Sequence, residues 1–140
     1  YVNESMGFYV TKQTVKKIIA AGKDVSKSKV LVMGATFKEN VEDIRNSKVA
    51  DVVKELSSYG VTVEVTDPKA DSEELKQEYG FELVSKPGKD YDAVIIAVNH
   101  NEYKDLTESW FQNILSKDGL VVDIKGVYKG KIKELAYWSL

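Results

Sequence analysis

The chain has 140 residues, 43% of them hydrophobic, which is enough for one core but short of the usual length of two full domains. Twenty basic residues against twenty-two acidic ones leave a formal charge of -2, which excludes a surface built to coat nucleic acid; any anion site has to be a local concentration of cations. Cysteine is absent, which removes disulfides, thiolate metal sites and a thiol nucleophile from this chain, and the single histidine, His100, is a poor basis for a metal site.

No run of about 18 apolar residues is present, and the N-terminus lacks the basic and apolar regions of a secretory signal. The expectation is a soluble, cytoplasmic protein with no membrane partner. The missing initiator methionine at Tyr1 and the amphipathic first segment suggest a piece of a longer protein. That segment, "SMGFYVTKQTVKKIIAA" at 5–21, places Met6, Tyr9 or Val10, Val15, and Ile18 or Ile19 at helical spacing, with Gly22 as a stop, so a helix of about four turns is predicted. "GKDVSKSK" then has no apolar periodicity and reads as a connector.

From Lys29 onward short apolar runs alternate with helical segments: "KVLVMG", a helix, "VTVEVTDP", a helix, "YDAVIIAVN", a helix, and "LVVDIKG". Such alternation signals right-handed βαβ units and a parallel sheet, hence an α/β, Rossmann-like, three-layer αβα domain with a mainly parallel sheet behind an N-terminal helix. "YDAVIIAV" is continuously apolar, as a central strand covered on both faces should be. "VTVEVT" alternates Val61, Val63 and Val65 with Thr62, Glu64 and Thr66, which puts it nearer an edge. Between these strands, Val49, Val52, Val53 and Leu56 draw the sharpest helical stripe, with Asn46 or Ser47 as N-cap and Gly60 as stop. "DSEELKQEYG" predicts a shorter helix capped by Asp71 or Ser72, and "FELVSKPGKD" a brief strand and a Pro-Gly turn. A helix through Trp110, Ile114 and Leu115 leads by Asp118-Gly119 into "LVVDIKG".

Ligands of open parallel sheets bind beyond the carboxyl ends of the strands, so the stretch after the first strand, "GATFKENVEDIRNS", occupies the default binding position. It lacks G-x-G-x-x-G: Gly34 is followed by Ala35, Thr36, Phe37 and Lys38, and a pyrophosphate could not approach the backbone without the second glycine. The phosphate loop G-x-x-x-x-G-K-[ST] is absent too. What the turn offers is Lys38 and Arg45 flanking a helix start, whose free N–H groups favour anions, with Phe37 available to pack on a base or sugar. The residues equally allow Phe37 to enter the core while Lys38 and Arg45 pair with Glu39, Glu42 or Asp43. Asp67 stands where a Rossmann domain binds a ribose, but Asp-Pro is a turn initiator, and that reading is preferred. His100 and Asn101 follow the third long strand, where a lone histidine is expected to start a helix or pack as a polar residue. Lys125 reaches the same edge. A response-regulator receiver is excluded, because the strands that should end in phosphoacceptor-site acids end in "VMGA" and "AVNH".

Taken together, "GATFKENVEDIRNSKVADVVKEL", "VTVEVTDP", "YDAVIIAVNHNEY" and "VVDIKG" resemble the C-terminal UDP-binding domain of the UDP-glucose/GDP-mannose dehydrogenase family, and "YVNESM" is similar to the end of its central helical domain. The resemblance covers nearly the whole chain and rests on the long pattern G-x-x-F-K-x-x-x-x-D-x-R-x-S. "TFKEN", "DIRNSK" and "DIKG" look most like the branch that oxidises UDP-N-acetylglucosamine or UDP-N-acetylgalactosamine at C6 for surface polysaccharides. The resemblance implies that residues 1–25 end a central dimerisation domain and 26–140 bind the UDP-sugar. It also implies that the full-length enzyme is a homodimer and that NAD is held mainly by an N-terminal domain. Oxidation to the carboxylate would pass through a cysteine-bound thioester whose cysteine is not in this chain. It further implies that Phe37, Lys38 and Lys125 contact substrate and Arg45 contacts the cofactor. Lys125 departs from the arginine of the family pattern, keeping the charge without the bidentate fork. Outside the resemblance, a freestanding nucleotide- or coenzyme-binding module and a structural interaction domain remain as alternatives.

Overall fold

The computed structural model describes residues 4–36, 40, 42–44 and 48–140. In chain order these form α1 (Glu4–Ala20), β1 (Lys29–Met33), α2 (Val49–Ser58), β2 (Thr62–Thr66), α3 (Ser72–Tyr79), β3 (Tyr91–Ile96), α4 (Glu108–Ile114), β4 (Leu115–Asp123) and β5 (Ala136–Ser139), with 3-10 turns at Val25–Lys27 and Asn101–Tyr103. The strands make one sheet in the order β2-β1-β3-β4-β5, and every neighbouring pair is parallel. This is the expected Rossmann-like α/β fold.

The apolar runs of β1 and β3 are explained by cover on both faces. Val30 and Val32 join Ala93, Ile95, Leu120 and Val122 in one core; Leu31 and Met33 join Val94, Ile96 and Val121 in the other. Helices α1, α2 and α3 close the first core through Val10, Ile18, Val52, Leu56 and Leu75. The second is closed by Phe111 and Ile114 of α4 with Tyr103, Tyr128 and Ile132.

Local signals account for most helix boundaries. The stripe on α2 is buried at Val49, Val52 and Leu56, and Gly60 follows it with φ +86°. Its N-cap position is Lys48, without a side-chain cap bond; the expected caps Asn46 and Ser47 lie outside the described residues. Asp71 caps α3 as expected, accepting from the N–H groups of Glu73 and Glu74, and Gly80 ends it in the left-handed region. In α1 the sequence alternatives resolve to Val10 and Ile18, both buried, while Phe8, Tyr9 and Ile19 are exposed; Met6 lies outside the described side chains.

Three features of the sheet bear on the site. β2 is the terminal strand of the five, as its alternation predicts, flanked among the described residues by a single parallel bridge from Val65 to Leu83, all that forms of the brief strand expected in "FELVS". β4 starts earlier than "LVVDIKG" suggests, pairing Leu115 with Tyr91 before an irregularity resets the register to Ala93 and Leu120. β5 was not anticipated at all and adds a fifth strand beside β4.

Candidate functional site at the carboxyl edge

In this strand order the loops leaving β1 and β3 diverge over the carboxyl ends of the strands, where open α/β sheets bind ligands. Here the two loops pack directly on one another. Gly34 has φ +101°, and a Cβ on it would lie 2.6 Å from Val98 Cβ and 2.7 Å from Val98 N. Met33 O accepts from Ala97 N at 2.9 Å, and Gly34 N donates to Thr66 O at 2.8 Å. The glycine therefore serves the close approach of two protein segments, where a dinucleotide fold would use it to admit a phosphate.

Just beyond lies a buried polar network that joins the ends of β1, β2 and β3. Asp67, its side chain fully buried, accepts four hydrogen bonds: Oδ1 from Lys69 N (2.6 Å) and Ala70 N (2.9 Å), Oδ2 from Ala35 N (2.6 Å) and His100 Nε2 (2.9 Å). Burial on its own would raise the carboxyl pKa, but the bonds from His100, Ala35 and Lys69 outweigh it and hold the group below the usual aspartate value. The two Oδ1 bonds are the turn that Asp-Pro predicts. His100 is fully buried at the start of the 3-10 turn, as a polar packing residue. Its Nδ1 accepts from Asn40 N at 2.9 Å, so it carries no proton there, and Nε2–H is directed to Asp67, with Thr36 Oγ1 at 3.2 Å. The imidazole is neutral in this arrangement.

These contacts test the fit of a dinucleotide on the ordinary Rossmann cradle. The described residues do not fit one: the ribose-binding carboxylate is saturated and sealed, and the backbone a pyrophosphate would approach is covered by Val98.

Of the four sequence-predicted site residues, Phe37, Lys38 and Arg45 lie outside the described residues. Their described flanks are anchored. Thr36 is buried, and Asn40, at φ +61°, accepts from Asn101 N through Oδ1 at 2.8 Å. Ile44 is buried and its carbonyl accepts from Tyr79 OH at 2.6 Å. Lys125 sits on the turn after β4, exposed. That turn is held by Asp123, fully buried, whose Oδ2 accepts from Tyr128 N (2.7 Å) and Tyr137 OH (2.6 Å); burial and the carboxylate push the Tyr137 phenol pKa up, keeping it a donor.

Lys125 and Lys48 line one small cavity, of about 60 Å³, together with Val10, Val49, Val52 and Ile124, so the structure brings Lys48, at the start of α2, to the same cavity as Lys125. Sequence reasoning passed over Lys48, although it closes the string "DIRNSK". It also passed over the meeting of Asp67 with His100, for which no spacing rule exists.

The pattern of the UDP-glucose/GDP-mannose dehydrogenase family, UDP binding domain, matches residues 31–130. The chain belongs to that family. Among relatives of this UDP-binding domain, the UDP-N-acetyl-D-glucosamine 6-dehydrogenase of Salmonella typhi is 41% identical over 127 residues, covering 90% of this chain and 30% of the relative. The protein of the same description from Pseudomonas aeruginosa is 38% identical over 89% of this chain and 30% of its own length. The structure of the UDP-N-acetyl-mannosamine dehydrogenase Cap5O from Staphylococcus aureus superposes with a TM-score of 0.73 at 31% identity, over 98% of this chain and 31% of that one. This UDP-binding domain thus spans about 30% of the length of the curated relatives it matches. Among its described residues no helix is long and apolar enough to cross a membrane.

Proposed function

We propose that this chain is the nucleotide-sugar-binding part of an NAD-dependent UDP-N-acetylhexosamine 6-dehydrogenase, with residues 1–25 ending a central dimerisation domain and 26–140 closing over the substrate. The observation that carries the reading is the sealed switch point: Asp67 accepts four hydrogen bonds and Gly34 packs on Val98, so the ordinary dinucleotide cradle is closed, which supports a ligand held instead by the 37–45 loop and the Lys125 turn. An aromatic ring and cations at those positions suit a UDP-sugar, whose diphosphate is a dianion and whose base is flat. Phe37, Lys38 and Lys125 bind and orient the nucleotide, and Lys48 adds charge beside Lys125. Arg45 reaches toward NAD, which is cradled mainly by another domain. NAD accepts the hydride when bound; this chain supplies no thiol and acts through binding and orientation. The identities of 41% and 38% to UDP-N-acetyl-D-glucosamine 6-dehydrogenases favour an N-acetylated hexose over glucose. The product would be the uronic acid used in surface polysaccharide, made in the cytoplasm by a homodimer.

Steady-state kinetics of the full-length enzyme test this, each substrate being varied in turn. Lys38→Ala is expected to raise KM for the UDP-sugar, and Arg45→Ala KM for NAD, each roughly ten- to a hundredfold, the cost of one charge-assisted contact. If both substitutions lower thermal stability and leave both constants intact, the two cations are surface ion-pair partners and the reading fails.

A further inference from the structure

We propose that Tyr137 and Asp123 are a positioning pair for nucleotide-sugar binding: the phenol of β5 and the buried carboxylate that ends β4 together set the turn that presents Lys125 at the carboxyl edge. The inference rests on the substrate contact proposed for Lys125 and goes beyond it by naming what holds that lysine's backbone and by giving β5 a part in binding.

The turn is fixed at its ends and open in its middle. Asp123 and Tyr128 are fully buried, whereas Lys125, between them, is exposed, and Gly126 reverses the chain at φ +70°. The backbone bonds around the turn are long: Ile124 N to Ile96 O is 3.4 Å, Gly126 N to Asp123 O 3.2 Å and Lys129 N to Gly126 O 3.3 Å. The side-chain bonds are short. Asp123 Oδ2 accepts from Tyr128 N at 2.7 Å and from Tyr137 OH at 2.6 Å, the lengths of charge-assisted hydrogen bonds, which are roughly twice as strong as neutral ones. By these distances the carboxylate, more than the backbone, decides where the turn lies.

Each donor ties the turn to a different part of the fold. Tyr128 belongs to the second core, its ring edge-on to Phe111 at 5.2 Å and its hydroxyl donating to Tyr103 O. Tyr137 brings in β5, where it pairs with Val121 while Ser139 pairs with Asp123. Burial and the Asp123 carboxylate raise the pKa of its phenol, which therefore stays protonated at neutral pH and donates. Asp123 Oδ1, also buried, has no hydrogen-bond partner among the described residues. The holding is done through Oδ2, so the loss of one of its two donors should be felt in the turn.

The half-buried phenol is the donor that can be removed without touching the backbone. Tyr137→Phe keeps the ring and deletes the bond. It leaves a buried carboxylate with one donor fewer, so some loss of stability is expected and decides nothing by itself. In the full-length enzyme the expected result is a rise in KM for the UDP-sugar of roughly three- to tenfold, with KM for NAD and kcat little changed. Lys125→Met, which removes the charge and keeps an unbranched side chain, should raise the same constant. In that background Tyr137→Phe should add less than about twofold, because the group it positions is gone. Leu75→Val, in the first core, is the stability control: it should lower Tm and leave all three constants as they are. The proposal is overturned if Lys125→Met is impaired while Tyr137→Phe stays within about twofold of wild type in UDP-sugar KM. It is equally overturned if Tyr137→Phe changes kcat and both KM values together, if the Tyr137 and Lys125 effects multiply independently, or if Leu75→Val raises the UDP-sugar KM as much. Should Tyr137→Phe not fold, Asp123→Asn takes its place in the same cycle with a rise of about threefold expected, since the amide oxygen accepts from both donors without the charge. A Lys125→Met enzyme with unchanged UDP-sugar KM defeats the proposed contact of Lys125 and the positioning role with it, so the two failures read differently.

Discussion

Substituting Gly34 by alanine isolates the packing that seals the switch point. Two costs combine. A residue with a Cβ held at φ +101° loses roughly 1–2 kcal/mol to backbone strain. The Cβ would also sit 2.6 Å from Val98 Cβ and 2.7 Å from Val98 N, and because one of these is backbone the β3 loop has to shift, at a cost of about 1–3 kcal/mol for overpacking. Alanine recovers about 0.4–1 kcal/mol by restricting the unfolded chain, which leaves a net loss of about 1–4.5 kcal/mol. Gly80 provides the control: it has φ +84° with nothing within 4 Å of a built Cβ, so Gly80→Ala should show the backbone cost by itself, about 1.5 kcal/mol or less. Urea unfolding of the chain, with slopes compared to confirm that the denatured state is unchanged, gives both values. If Gly34→Ala proves no more destabilising than Gly80→Ala, the two loops are not packed as described, and the argument that a pyrophosphate is shut out loses its ground.

The Asp67 carboxylate should appear in the pH dependence of stability. Its folded pKa is depressed, so its contribution is complete above the ordinary aspartate value of 3.8 and is lost as pH falls through the lower folded value. Asp67→Asn is expected to cost about 1.5–3 kcal/mol at neutral pH, with the gap to wild type closing below that value; a gap constant down to strongly acid pH would contradict the four-bond carboxylate. Phe111, fully buried and edge-on to both Tyr128 (5.2 Å) and Trp110 (5.1 Å), anchors the second core, and Phe111→Ala should cost about 3–5 kcal/mol in urea unfolding; a loss below about 2 would mean that the layer collapses around the cavity.

The chain's own periodicities determined the architecture. The continuous apolar runs of β1 and β3, the stripe on α2 and the cap at Asp71 are local signals, each readable because burial on two faces, burial on one face and N-cap chemistry leave different marks on neighbouring residues. The closed dinucleotide cradle was legible for the same reason: a strand ending at Gly34 without further glycines leaves a pyrophosphate no backbone to approach, while the candidate residues Phe37, Lys38 and Arg45 lie outside the described residues. Other features had no local mark. The four residues of β5 are half-buried at most, and they become a strand only by pairing with β4, a contact whose free energy comes from across the sheet. Asp67 and His100 each carried the correct modest reading separately, a turn residue and a polar packing residue, yet they are 33 positions apart and sequence spacing says nothing about a bond between them. Only the parallel order of β2, β1 and β3 brings their carboxyl ends side by side, and only there does low dielectric and shared donors make one residue's carboxylate fix the other's proton.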